Sequence, residues 1–312
     1  MKLSSSASTS SRNAGGGRIV VRTHVSEVAF EEMSATYPLK LLSPRMGDND
    51  VAVTYMISYG GGLVGGDHIE LSVDVGAATR LVLLSQGSTK VFKTRPGRRA
   101  ATPARASSPG WHDDAVTTQR LDAQIADTGA LFLLPDPVTC FRHAAYRQVQ
   151  TFRLTGNASI VLLDWLTSGR RALGEEWAFS QYYSLNELFV DGKRIARDAQ
   201  LLEGDPVNIA PLPERSLRDR MGPYSCYANV LLYGPSAEGV INDLDARYRA
   251  ISVFKRAEPM DVLWSLSPLT GDAGRVLRVA GKETEDVKVW LRDALRGLEN
   301  VIGMDVYRKA FV

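Results

Sequence analysis

Apolar and polar residues alternate with a period of two along much of this chain. His68–Val75 (HIELSVDV) is the clearest stretch, and its alternation predicts a strand with one buried face. Val51–Tyr59 (VAVTYMISY), Arg80–Ser85 (RLVLLS), Gln119–Ile125 and Ala130–Leu134 carry β-branched and aromatic residues in the same way. Arg18–Arg22, Val25–Met33 and a short start at Lys90–Lys93 extend the set. Ala145–Leu154 alternates, whereas Ile160–Trp165 is apolar enough to be buried on both faces. Trp177–Val190 and Lys193–Leu202 flank Asp191-Gly192, a dipeptide whose positive φ angles suit a tight hairpin turn. Val262–Leu266 and Arg275–Val279 flank the Gly271–Gly274 turn.

Helical spacing emerges only late. In Ser236–Phe254, Val240, Leu244, Tyr248 and Ile251 recur at helical intervals. In Glu283–Ile302, Val287, Trp290, Leu291, Ala294, Leu295, Leu298 and Val301 form one stripe. Core packing accounts for that stripe; a docking face for a partner helix is the alternative.

Many strands without regular helical crossovers argue against a doubly wound α/β fold. The expected class is mainly β (β-rich α+β): a single large body of many strands with a few helices, two of them late. Residues 1–16 read as a disordered Ser/Gly-rich tail, and residues 17–312 as the folded domain. Residues 95–118 (RPGRRAATPARASSPGWHDDAVTT) lack periodicity and read as an exposed, flexible insertion. No internal repeat is visible.

The 312 residues are 44% hydrophobic and 23% charged, enough for a sizeable core. The formal charge of +2 lacks the basic excess of a nucleic-acid binder. No apolar run reaches the ~18 residues of a membrane span. Two cysteines, Cys140 and Cys226, are too few for a secreted disulfide framework and read as reduced thiols in a cytoplasmic protein.

The chemistry is sparse. Gly60-Gly61-Gly62-Leu63-Val64-Gly65 fits G-x-G-x-x-G, but a strand follows where a dinucleotide site needs a helix N-terminus. No G-x-x-x-x-G-K-[ST] loop exists, so nucleotide hydrolysis by this chain is not expected. The four histidines make no H-E-x-x-H motif, and Cys140-x-x-His143 has no second ligand pair nearby. His112-Asp113-Asp114 sits in the predicted insertion. Acids stand singly at Asp67, Asp136 and Asp164 and paired at Glu175-Glu176, without a nucleophile elbow.

Three stretches, in this order and spacing, resemble the UreD (UreH) family of urease accessory proteins. They are Tyr59–Asp67 (YGGGLVGGD) continued by Leu84–Thr94 (LSQGSTKVFKT), Leu133–Phe141 (LLPDPVTCF), and Leu163–Trp177 (LDWLTSGRRALGEEW). The resemblance runs from about Arg18 to the C-terminus, and the insertion fits longer, eukaryotic and specifically fungal members.

The resemblance implies a chaperone, not an enzyme. Such a chain assembles with a helical UreF-like protein and a UreG-like GTPase on the urease apoprotein. It helps conduct nickel to the urease active site, and the GTPase supplies nucleotide hydrolysis. No tightly bound cofactor is implied; nickel(II) passes transiently. Transit needs oxygen or nitrogen ligands weak enough to release the ion. Asp67, Asp136, Glu175 and Glu176 are the candidate carboxylates, with His68 beside them. Gly60, Gly61, Gly62, Gly65, Gly66, Trp165, Gly169, Arg170 and Gly174 form the structural or partner-facing motif. Arg170 is alternatively a bidentate holder of a nearby acid. Two other readings stay open: a β-rich metal-dependent hydrolase, and a β-rich binding module without a metal role.

Overall fold

The computed structural model describes residues 14–25, 27–44, 51–93, 116–204, 215–251 and 259–311. Residues 1–13 of the expected tail and 95–115 of the expected insertion, with His112-Asp113-Asp114, lie outside the described residues.

The first strands are β1 (Gly16–His24), β2 (Glu27–Ala35), β3 (Leu39–Leu42), β4 (Ala52–Ser58), β5 (His68–Val75) and β6 (Arg80–Ser85). Next come β7 (Thr89–Val91), β8 (Thr117–Ile125), β9 (Ala130–Leu133), β10 (Val138–Cys140), β11 (Ala145–Leu154) and β12 (Ser159–Thr167). The last are β13 (Gln181–Val190), β14 (Lys193–Glu203), β15 (Cys226–Tyr233), β16 (Val262–Pro268) and β17 (Gly274–Gly281). The helices are α1 (Leu217–Met221), α2 (Glu238–Arg249), α3 (Thr284–Ala294), α4 (Glu299–Ile302) and α5 (Met304–Ala310).

Among the described residues these strands form a seven-stranded sheet, β14-β13-β11-β8-β5-β1-β2, and a ten-stranded sheet, β16-β17-β15-β12-β9-β6-β4-β3 with β7 and β10 beside that path. From β4 to β13 the long strands alternate between the two sheets. Within each sheet the successive ones pair in parallel: β4, β6, β9, β12 in one and β5, β8, β11, β13 in the other. A parallel pair needs a long return path, usually a helix. Here the strand of the facing sheet is that path, so the chain winds as a solenoid. Its corners repeat although the sequence does not. Ala78, Thr128 and Gly156 each take a positive φ at a corner, as Asp191 does in the hairpin turn between β13 and β14. The corners also stack: Ala78 N donates to Thr128 Oγ1 at 3.0 Å, and Asn157 N to Asp127 Oδ1 at 2.7 Å.

The layering follows from strand periodicity. Ile160, Leu162 and Leu166 of β12 join the core between the sheets, while Val161, Leu163 and Trp165 join a second core on the other side. Helices cover that second side with Val240, Leu244, Val287, Leu291 and Tyr307. Each fully buried aliphatic side chain contributes about 1.5–3 kcal/mol. Both strand faces are therefore occupied, which is why every residue of β12 is buried.

The mainly-β reading holds. Asp191-Gly192 forms the expected turn, with Val190 opposite Lys193. Three expectations are refined. Gly15 and Gly16 belong to the folded body, because Gly15 N donates to Tyr37 O at 2.7 Å and β1 starts at Gly16. Thr117 and Thr118, expected in the insertion, belong to β8 and pair with β11. The long helix expected over 283–302 breaks after Leu295. There Gly297 lies so close to α2 that a Cβ would stand 3.0 Å from Val240 Cγ2. In α2 only Val240 and Leu244 are buried, while Tyr248 leans on the Trp264 ring at 5.3 Å.

Candidate functional site

Parity places Asp164 on the same face of β12 as Ile160, Leu162 and Leu166, so its carboxylate points into the core between the sheets. Four side chains of the facing sheet receive it. Asp164 Oδ2 accepts from Ser184 Oγ at 2.5 Å and from Asn186 Nδ2 at 2.7 Å. Oδ1 accepts from Gln148 Nε2 at 3.2 Å and faces the Tyr182 hydroxyl at 3.5 Å. Burial pushes the Asp164 pKa up. The hydrogen bonds from Ser184, Asn186 and Gln148 only partly offset this, and the charge of Asp198 adds to it.

The carboxylate belongs to a polar layer through an otherwise apolar interior. In one sheet Gln150, Asn186 and Asp198 are successive cross-strand partners; in the other, Asp164, Asn229, Arg278 and Ser265 are. Gln150 Oε1, Asn186 Oδ1 and Asn229 Oδ1 are buried without a hydrogen-bond partner. Such acceptors are satisfied by water or a cation. Their donor type is oxygen, suited to hard or borderline metal ions that must leave again.

Two cavities meet at Asp164. One, of ≈ 50 Å³, lies among Ser85, Asp136, Gln148, Gln150 and Asp164. That is room for a few waters with polar partners. The other, of ≈ 540 Å³, lies among Asp164, Asp198, Asn229, Ser265 and Arg278, and reaches solvent between the sheet-edge strands β14 and β16. Three carboxylates thus line one interval between the sheets. Asp136 stands in the smaller cavity, Asp164 at the meeting point and Asp198 in the larger cavity.

Of the candidate nickel-transit residues, Asp136 alone lines this interval. Its Oδ2 accepts from Gly87 N at 2.9 Å and Ser85 Oγ at 3.3 Å, and burial pushes its pKa up. Asp67 is buried and folds back on the glycine-rich turn, accepting from Val64 N at 2.6 Å. His68 is exposed, its ring against Thr118 Oγ1. Glu175 forms a bidentate pair with Arg170 at 2.8 and 2.7 Å, as the bidentate alternative expects. The Arg170 hydrogen bonds hold the Glu175 carboxyl below its usual range. Arg170 also lies over the Phe141 ring at 4.1 Å. Glu176 bridges Arg171 at 3.0 Å and Arg218 at 2.9 Å.

In the sequence Asp164 reads as a single acid without being chosen as a transit ligand, and Asp198 is not singled out. For Asp164 a signal existed: a charge in the middle of a strand that is otherwise apolar on both faces. For Asp198, in a charged edge strand, no local signal stands out.

The resembling stretches converge elsewhere. A surface hollow of ≈ 580 Å³ is lined by Gly60, Val64, Phe92, Phe141, Arg170 and Glu175, one or more from each stretch. Gly62 is required there by close approach, because a Cβ would stand 2.6 Å from Lys90 O. Gly169 combines φ +119° with a Cβ position 2.4 Å from Glu175 O. Trp165 Nε1 donates to Pro135 O at 2.7 Å, tying two stretches together. Gly65 and Gly66 complete the turn, Gly66 at φ +82°, and Gly174 ends the short helical turn after Arg170 at φ +68°.

Both cysteines are free and buried, and burial pushes the Cys226 thiol up to about 12. Among the described residues, no three His, Cys, Asp or Glu side chains gather into a group able to hold a metal ion. No helix of the described residues is long and apolar enough to cross a membrane.

Residues 14–309 match the family described as UreD urease accessory protein. The chain is 36% identical over 295 residues to Urease accessory protein 4 of Cryptococcus neoformans var. grubii, covering 90% of each chain. It is 36% identical over 296 residues to Urease accessory protein UreD of Sorangium cellulosum, covering 95% of this chain and 84% of that one. It is 31% identical over 314 residues to Urease accessory protein D of Arabidopsis thaliana, covering 93% of this chain and 99% of that one.

Proposed function

The chain belongs to the UreD urease accessory protein family and serves urease maturation, and from this premise we propose that it is a non-catalytic scaffold that conducts nickel(II) to apo-urease. In this reading it assembles with a helical UreF-like protein and a UreG-like GTPase in the cytoplasm, and the GTPase does the nucleotide hydrolysis. Nickel is cargo here, not a resident cofactor.

The observation that carries the reading is Asp164, one carboxylate shared by the two cavities between the sheets. Asp136, Asp164 and Asp198 offer single oxygen ligands in sequence, with the unpartnered amide oxygens of Gln150, Asn186 and Asn229 between them. A divalent ion moving along this interval exchanges a few oxygen ligands at a time. Dispersed donors of that kind bind weakly enough for release, whereas a closed tetrahedral N/S site would retain the ion. Glu175 and Glu176 act differently in this reading: their arginine pairs hold the loop that shapes the surface hollow. The hollow, where the family-resembling stretches meet, is the docking face for an accessory partner.

The test is co-expression of the tagged chain with urease subunits and the two accessory partners. Co-purification of all of them, with no turnover by the isolated chain, is the expected result. Recovery of the chain alone at low salt contradicts the scaffold reading.

A further inference from the structure

The larger cavity has a cation at its solvent end. Arg278 Nη2 lies 3.0 Å from Asp198 Oδ1, and Asn229 Nδ2 donates to the other oxygen of the same carboxylate. Both Asp198 oxygens are therefore engaged. The Arg278 side chain is 52% exposed and that of Asp198 22%, while Asp164 is buried. An ion entering from solvent meets the guanidinium first, then Asp198, then Asp164.

The fold itself has little need of this pair. Arg278 and Asp198 lie at the outer end of the polar layer, with Val276 along the inward face of β17 and Ala196 and Leu202 along that of β14. A half-exposed ion pair adds little to stability. Its position across two sheet edges, however, puts a fixed positive charge on the way to Asp164. Like charges brought together in a partly desolvated cleft repel strongly.

Resting on the nickel-passage reading, we propose that Arg278 determines access to that passage. Anchored on Asp198, it keeps free divalent cations out of the interval between the sheets. The way opens when a docked partner protein places a carboxylate at the mouth and draws the guanidinium off Asp198, which then becomes a ligand. The mouth suits such a partner: strand β16 offers the exposed side chain of Leu263 and, among the described residues, a sheet edge that no further strand pairs, one strand from Arg278. The occupant is thus a protein segment that is apolar but carries an acidic side chain. Entry of nickel is in this way tied to assembly.

Equilibrium dialysis of the purified full-length chain against Ni²⁺ tests this. Arg278→Ala is expected to bind one more nickel equivalent than wild type, with affinity raised roughly tenfold or more. The gain should vanish in Arg278→Ala/Asp164→Asn, because it requires the interior carboxylate. Arg278→Lys, which keeps the charge, should stay closed, and Arg278→Met serves if the alanine variant does not fold. Equal binding by wild type and the neutral variants overturns the proposal. A gain that survives Asp164→Asn also overturns it, since the ion then sits at the surface. Failure of the passage itself is separable: if Asp164→Asn leaves urease nickel unchanged in cells, that reading falls whatever dialysis shows.

Discussion

Asn186 on β13 donates from Nδ2 to Asp164 on β12 at 2.7 Å, joining the two sheets through their shared core, while its own Oδ1 has no partner. This arrangement makes the effect of substitutions at Asp164 predictable. In Asp164→Asn the Asn186 amide can turn its free oxygen toward the new donor, and Ser184 can rotate. In Asp164→Leu, Gln148, Ser184 and Asn186 lose their acceptor at once. The leucine variant should lose about 3 kcal/mol or more of stability, and the asparagine variant far less, in denaturant unfolding.

The pH dependence at Asp164 follows from its direction of shift. Burial raises the folded-state pKa above that of the unfolded chain, so the folded state holds its proton more tightly. The associated stability is full below the unfolded value, near pH 3.9, and is lost as pH rises through the folded one. The stability of Asp164→Asn relative to wild type should therefore increase as pH is raised through that interval. Thermal unfolding of both proteins, followed upward from about pH 4, measures this.

Glu175 has the opposite sign. Hydrogen bonds from Arg170 depress its folded-state pKa, so its contribution is present above the usual carboxyl range and lost as pH falls through the depressed value. Glu175→Gln should lower the melting temperature at neutral pH. The difference should shrink as both proteins are acidified below about pH 4.

The glycines of the motif separate into two classes. A Cβ at Gly169 would meet Glu175 O at 2.4 Å, whereas one at Gly61 meets nothing within 4 Å. Gly169→Ala combines a clash with left-handed strain and should cost about 2–4 kcal/mol. Gly61→Ala should cost about 1–2 kcal/mol, from strain at φ +77° alone. Parallel denaturant curves distinguish the two.

The strands were legible because one-face burial leaves a period of two, as in β5 and β11. The solenoid was not, because its repeat lies in corner backbone angles at Ala78, Thr128 and Gly156, which three different residue types supply. The short strands β3 and β10 and the five-residue α1, whose one buried residue is Leu217, are too brief for a periodic signal. β15 alternates only in its first half: Cys226, Ala228 and Val230 are buried toward the helices, and Leu231, buried toward the facing sheet, breaks the pattern. Of the site, Asp136 stood out only because it falls in a stretch that resembles the family. The pairing of Gln150 with Asn186, and of Asp164 with Asn229, depends on register between distant strands, which local sequence does not encode.

Gln150 separates conduction from folding. Its buried Oε1 lacks a partner, so Gln150→Leu gives up little and should leave stability within about 0.5 kcal/mol of wild type. It removes one oxygen from the interval between the sheets. Nickel delivered to urease should fall while the melting temperature holds.

The most direct measurement is the nickel content of urease matured in cells carrying Asp164→Asn, with recovery of the accessory complex followed in parallel. The passage account predicts urease with clearly less nickel and an intact complex. Wild-type nickel content with an intact complex would contradict it.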